Sequence, residues 1–303
     1  MTNSNEENLM NDSGTVITEN MITGNTIFAC IDGSSVSEAV CDYSSWIARV
    51  AGKPLKLIHA IKNNHNAVVA DYSGAIGLGS QQDLLNELTE VEQSRASLLI
   101  KKGQLMLNAA KALVMNNGVE KVETYQHHGN LAESLVELQE DIRVAVIGIR
   151  GKEHDVEKQG IGHQLESVIR SLHKPILVVN KEFSEPKKAM LAYDGSPSCI
   201  KALNMVASSK LFKNIPCHLV HVGSKGESLL DEAAKTLIDV GIQVICVQLE
   251  GEVEEVLVNY QLENDIEITL MGAYSHNKFR DLLLGSLTAK MLATTHTPLL
   301  LLR

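Results

Sequence analysis

Aromatic side chains make up only 4% of the 303 residues, with one Trp, four Phe and six Tyr. A core built without them must be aliphatic, which suits an α/β architecture better than a β-sandwich. Cysteine is equally sparse. The five present (Cys30, Cys41, Cys199, Cys217, Cys246) are scattered, odd in number and never spaced Cys-x-x-Cys. That pattern argues against a disulfide framework or a zinc site and for free, buried thiols in a reducing cytoplasm. Basic residues are outnumbered, 27 Lys and Arg against 37 Asp and Glu, giving a formal charge of −10. A field of that sign draws in neither nucleic acid nor an anionic membrane. No apolar run approaches the length of a membrane span, so no membrane insertion is expected. The first 24 residues are rich in Asn, Glu, Thr and Ser and lack a basic stretch followed by an apolar core. They read as a disordered tail and not as a secretory signal. Missing too are the Gly-x-Ser-x-Gly elbow, the Gly-x4-Gly-Lys-Ser/Thr loop and His-Glu-x-x-His, which removes the commonest hydrolase, P-loop and zinc-protease signatures.

What the chain does contain is ordinary globular material, 44% hydrophobic and 21% charged, in a length that suits two domains. Its organisation is an internal repeat. Strand Thr26–Ile31 stops at Asp32-Gly33-Ser34; strand Ala189–Tyr193 stops at Asp194-Gly195-Ser196. Leu57-Ile-His59-Ala60 is echoed by Leu219-Val-His221-Val222, and Asp32 to His59 and Asp194 to His221 both span 27 positions. Gly129 pairs with Gly251, Gly148 with Gly272, and Lys174-Pro175 with Thr297-Pro298. Apolar runs alternate with amphipathic ones throughout, which predicts two tandem, doubly wound α/β domains with parallel sheets. The expected boundaries are a tail over 1–24, a first domain over 25–183 and a second over 184–303. The first half carries an expected insertion over about 62–83, followed by a helix from Leu84 to Asn116.

Ligands of open parallel sheets bind beyond the carboxyl ends of the strands, where strand order reverses. Three features of each repeat fall there: Asp32 or Asp194, Ala60 or Val222, and a glycine-containing loop. An acidic side chain at that edge can accept from a base amino group or a ribose hydroxyl; its competing role is a local turn or helix cap. The loop is clearest in the second half. The buried run Ile266–Met271 ends at Gly272, Ser275 follows, and Gly285-Ser286 opens the amphipathic run Leu287, Met291, Leu292. Small residues let main-chain N–H groups approach an anion, and the start of a helix favours negative charge. A plain βα loop with Ser286 as N-cap fits the same spacing. The first half keeps Gly148 and Gly151, but Gly162 comes a residue late and His163 stands beside it instead of a hydroxyl residue. Gly160 is an alternative anchor, and Arg150 and Lys152 are available as phosphate partners. His59 and His221 read as strand-end side chains in preference to metal ligands.

The second half resembles the universal stress protein family, whose nucleotide motif Gly-x2-Gly-x9-Gly-(Ser/Thr) here reads Gly272-x2-Ser275-x9-Gly285-Ser286. Asp194 and Leu-Val-His-Val fit the same pattern, and the likeness extends over both halves, as in a tandem member. The resemblance implies five-stranded Rossmann-like domains that bind ATP or AMP. Carried over position by position, Asp194 and the Val222 backbone hold the adenosine, while Gly272, Ser275, Gly285, Ser286 and Leu287 hold ribose and phosphates. The first-half counterparts are Asp32, Ala60, Gly148, Gly151 and Gly162. Ser275 in place of the second glycine narrows the loop's dihedral freedom. Mg²⁺ is expected to arrive with a triphosphate, since no acidic cluster is evident. The expected role is a cytoplasmic, nucleotide-dependent regulator of stress responses that forms a homodimer. A nucleotide-free scaffold and a slow ATPase or phosphotransferase are the alternatives, and no catalytic residue is identified. The C-terminal strand Pro298–Leu302 is the candidate for pairing with a second copy, unless the two halves satisfy each other through it.

Overall fold

The computed structural model describes residues 24–61, 78–149, 162–224, 226–272 and 286–302. Its first half runs β1 (Thr26–Cys30), α1 (Ser37–Ala51), β2 (Leu55–Ile61), α2 (Leu78–Asn116), β3 (Val122–His128), α3 (Leu131–Glu137), β4 (Ile142–Gly148), α4 (His163–Ser171) and β5 (Ile176–Val179). The second half repeats the alternation with β6 (Ala189–Ala192), α5 (Pro197–Ser208), β7 (Cys217–Val222), α6 (Glu227–Ile238), β8 (Val244–Leu249), α7 (Val253–Glu263), β9 (Ile268–Gly272), α8 (Ser286–Thr294) and β10 (Leu299–Leu302). Within each half the strands are parallel, in the order β3-β2-β1-β4-β5 and, mirrored, β10-β9-β6-β7-β8.

The halves join into one ten-stranded sheet, because β5 and β10 pair antiparallel with Leu299 opposite Val178 and Leu301 opposite Ile176. The strand expected to meet a second copy is therefore paired inside the chain. The composition of both strands explains this. Ile176–Val179 and Leu299–Leu302 are apolar at every position and buried on both faces, as befits central strands of a covered sheet. Successive residues of β10 feed opposite cores: Leu300 and Leu302 join the face covered by α1, α2, α5 and α6, while Leu299 and Leu301 join the face covered by α3, α4, α7 and α8. Each core is continuous across both halves. The seam is also tied by polar groups: Asn180 Nδ2 donates to the Thr295 and Thr297 carbonyls at 2.9 and 3.2 Å. Thr295 Oγ1 in turn donates to Gln261 Oε1, whose Nε2 donates to Thr269 Oγ1.

Helix α2 departs from expectation. It begins at Leu78, so residues 78–83 of the expected insertion are helical; the remainder of that stretch, 62–77, lies outside the described residues. Gly79 is a weak break at the end of a helix, where a glycine costs little. Among its described side chains, α2 enters the core near its C-terminal end, through Leu107, Ala110 and Val114 on one face.

Two tests follow from this packing. Leu300→Ala leaves a cavity in a seam residue that is 6% exposed and shares its core with Trp46, and should cost about 2–5 kcal/mol. Because the cores are shared, the fluorescence of Trp46, in the opposite half, should shift to lower denaturant together with far-UV circular dichroism. In the second test, buried His218 pairs with Tyr260 Oη at 2.7 Å. Burial, aided by the Lys188 charge, pushes its pKa below the ordinary 6.5. The unfolded chain then takes up the proton first, so this contribution to stability is whole above pH 6.5 and declines as the pH falls below it. His218→Gln should flatten the pH dependence of unfolding free energy below about pH 6.5.

Candidate functional site

The carboxyl ends of β1 and β6 turn through the same Asp-Gly-Ser corner. Gly33 and Gly195 have φ of +73° and +74°, a region that residues with a Cβ rarely adopt. A Cβ there would also lie 2.6 Å from Met106 Sδ or from Leu229 Cδ1. Asp32 Oδ1 accepts from the Ser34 N–H at 2.9 Å and from Ser37 Oγ at 3.1 Å; Asp194 Oδ1 accepts from the Ser196 N–H at 2.9 Å. Both carboxylates thus take up the turn role anticipated as the alternative to ligand binding. Asp194 is nonetheless exposed and Asp32 half-buried, so the corner presents acid to solvent at the strand end. Ser196 Oγ caps α5 by accepting from the Cys199 N–H, with Pro197 at the first helical position.

The two conserved-register histidines lock these corners. His59 Nδ1 donates to the Ile31 carbonyl at 2.7 Å and His221 Nδ1 to the Tyr193 carbonyl at 2.9 Å. A carbonyl can only accept, so the Nδ1 tautomer is fixed and Nε2 of the neutral ring remains an acceptor. Helix backbone lies directly on each ring. A Cβ on Gly103 of α2 would come within 2.7 Å of His59 Cδ2 and 2.4 Å of Gln126 Nε2. A Cβ on Gly226, before α6, would come within 2.5 Å of His221 Cδ2 and 3.1 Å of Gln248 Oε1. These His–Gln–Gly constellations were not singled out from sequence, because the longer first half separates Asp32 from Gln126 more widely than Asp194 from Gln248. Counting back three positions from Gly129 and Gly251 finds both glutamines.

In the second half the strand order reverses between neighbouring β6 and β9. Asp194 follows β6, Gly272 ends β9 and half-buried Val222 ends β7. A Cβ on Gly272 would sit 2.3 Å from Ser198 Oγ and 3.2 Å from the Cys199 nitrogen. The first turn of α5 therefore already requires glycine at the end of β9. Helix α8 starts at exposed Ser286, with Leu287 half-buried behind it; Lys290 pairs with Glu254 and ties α8 to α7. Ser275 and Gly285 lie outside the described residues. In the first half Asp32, Ala60 and Gly148 stand at the equivalent strand ends, while Gly151 and Gly160 lie outside the described residues. Gly162 precedes α4, but its N–H donates to the Ile149 carbonyl at 3.1 Å. That amide is spent within the fold, which leaves the first-half loop one donor fewer for an anion.

Thiols stand beside both corners. Cys199 is raised chiefly by burial, and Cys30 by burial and then by Asp32. Both stay protonated at neutral pH and are poor nucleophiles. Among the described residues no group of three or more His, Cys, Asp or Glu could hold a metal ion, and no helix is long and apolar enough to cross a membrane.

Known proteins share this sequence and fold. The sequence pattern of the universal stress protein family matches residues 25–180 and 224–303. The universal stress protein Slr1230 of Synechocystis sp. is 35% identical over 284 residues, covering 91% of this chain and 99% of that protein. The crystal structure of a universal stress protein from Archaeoglobus fulgidus superposes with a TM-score of 0.70 at 16% identity, over 92% of this chain and 98% of that one.

The histidine locks predict a measurable cost. His221→Ala or His59→Ala should lower unfolding free energy by about 1–3 kcal/mol, because each leaves a strand-end carbonyl without its donor. Chelator should leave the melting temperature of the parent chain unchanged, as expected of structural rings and not of metal ligands.

Proposed function

Since the chain belongs to the universal stress protein family, we propose that its second half binds an adenine nucleotide, ATP or AMP, and that occupancy regulates the protein in a cytoplasmic stress response. The observation that carries this reading is the meeting of an exposed carboxylate, a glycine strand end and the first turn of α5 at the strand-order reversal of β6 and β9. In the proposed complex Asp194 and the Val222 main chain face the adenosine. Gly272, Ser275, Gly285, Ser286 and the Leu287 N–H face ribose and phosphates, and Mg²⁺ comes with the triphosphate. The four N–H groups of a first helical turn have no partner inside their own helix, and the helix dipole favours anions at that end.

The first half is the weaker site in this proposal, since the Gly162 amide is already bonded and His163 supplies no hydroxyl. Its Asp32 corner serves packing. Regulation requires the nucleotide to bind one conformation or assembly better than another. A homodimer is the assembly we expect, and it must use a surface other than β10. A cytoplasmic location fits the five free thiols, four of them buried.

Gly272→Val is a poor probe, because a side chain there strikes Ser198 whether or not nucleotide binds. Ser286→Glu separates the two effects. An acid in the first turn suits the helix dipole and should leave the melting temperature unchanged or raised, yet it repels phosphate. We expect ATP affinity, measured by calorimetry on the full chain, to fall at least about tenfold. Asp194→Ala should weaken binding by about 1–3 kcal/mol. Unchanged affinity in both variants, or no binding by the parent chain, overturns the assignment; steady phosphate release that disappears in Ser286→Glu would favour the hydrolase reading.

A further inference from the structure

Helix α2 is 39 residues long, about 58 Å, and it extends well N-terminal of the part that packs in the core. The repeat shows how much. Gly103 and Met106 of α2 occupy the places of Gly226 and Leu229 at the start of α6, against the histidine ring and the Asp-Gly corner. What precedes Gly103 therefore has no counterpart in the second half. Residues 86–99 are exposed without interruption, although the helix carries large apolar side chains there. Leu88 is 53% exposed, Val91 63%, Leu98 66% and Leu105 70%. These residues follow the alternating three- and four-residue spacing of a coiled-coil seam, with Arg95 and Lys102 at the intervening seam positions.

Charge along this segment is divided by sign. Glu87, Glu90 and Glu92 fall in its N-terminal part; Arg95, Lys101 and Lys102 fall in its C-terminal part, and no acidic residue occurs from Gln93 to Asn116. A parallel pair of such helices would set like charges side by side. An antiparallel pair sets the acidic part of each against the basic part of the other.

We propose that this face of α2 is the homodimer interface, formed by a second copy of the chain packed antiparallel about a two-fold axis near residues 96–97. The inference deepens the homodimer reading given above by assigning its surface. Leu88 then packs on Leu105 of the second copy, and Arg95 on Leu98, with its charged end extending toward solvent. The Lys102 stem crosses Val91 and carries its charge toward Glu87 and Glu90. The two-fold uses the same patch on both chains, so the charge division is self-complementary. The first half alone carries the extension, so each chain offers one such helix and the assembly closes at two.

The test is sedimentation equilibrium of the full chain, with and without ATP. A reversible dimer is expected, weakened at least about tenfold by Leu98→Lys, which sets a second positive charge against Arg95 of the second copy and is felt twice across the two-fold. At dilutions where the parent chain is monomeric the melting temperature should not move, since Leu98 is 66% exposed in the single chain. The pair Glu87→Lys, Glu90→Lys should be monomeric alone and recover dimers when mixed with the pair Lys101→Glu, Lys102→Glu. In a Cys246→Ser background, oxidation should link Leu88→Cys to Leu105→Cys in a mixture and leave Leu88→Cys alone unlinked. A dimer indifferent to Leu98→Lys overturns the surface while keeping the homodimer. A chain monomeric at all concentrations, including one whose own residues cover this face, overturns both, and linkage of Leu88→Cys to itself overturns the antiparallel arrangement. None of these outcomes depends on nucleotide binding.

Discussion

Edge-to-edge pairing of β5 with β10 is the constraint from which the rest of the architecture follows. Each is a short strand, apolar on both faces, and each would otherwise leave a row of main-chain N–H and C=O groups without partners. Such an edge recruits another strand, from the same chain or from a neighbour. Here the duplicated chain supplies both edges, and their meeting makes one sheet from two. The helices on each side then cover a core that does not stop at the seam, as the division of Leu299–Leu302 between the two faces shows. Internal satisfaction of this edge also frees the protein from needing a second copy to complete its sheet.

The duplication extends below the level of secondary structure. In both halves a histidine ring bonds the carbonyl just before the aspartate, and a glycine lets helix backbone lie against that ring beside a glutamine. This arrangement fixes the strand-one corner from behind while the carboxylate fixes it from the front. The corner is therefore rigid without any ligand, a requirement for a binding edge that spends little free energy on ordering itself. The halves also diverge where they meet solvent. The second keeps a hydroxyl residue at the start of α8. The first has a committed amide before α4 and a long helical extension on α2. Binding and assembly can thus be divided between copies that share one scaffold.

That division gives the charge pattern of α2 a physical context. In the exposed segment Glu87, Glu90 and Glu92 precede Arg95, Lys101 and Lys102, and Arg95 lies 3.8 Å from Glu92 on the same helix. Pairs at that spacing support an exposed helix modestly. The apolar seam residues do not share in that benefit. Exposed leucines at regular seam spacing on an otherwise charged helix mark a surface built for contact.

The sequence by itself determined the alternation of strands and helices, the duplication and the place of both Asp-Gly corners, because these rest on local periodicity and on turn chemistry confined to a few neighbouring residues. It also located Gly272 and the start of α8, since small residues at a strand end and a helix start leave a local mark. Only the tertiary structure decided that β10 pairs with β5, as an apolar strand carries no record of which edge it will meet. The reason for glycine at 272 belongs there as well: Ser198, the residue it would strike, is 74 positions away in the chain. Gln126 and Gln248 became visible as partners of the histidines only once the sheet set β2 beside β3 and β7 beside β8. The length of α2 was misjudged for a related reason. A helix that leaves its core loses the periodic burial by which a helix is read, and its start is then set by backbone propensity alone.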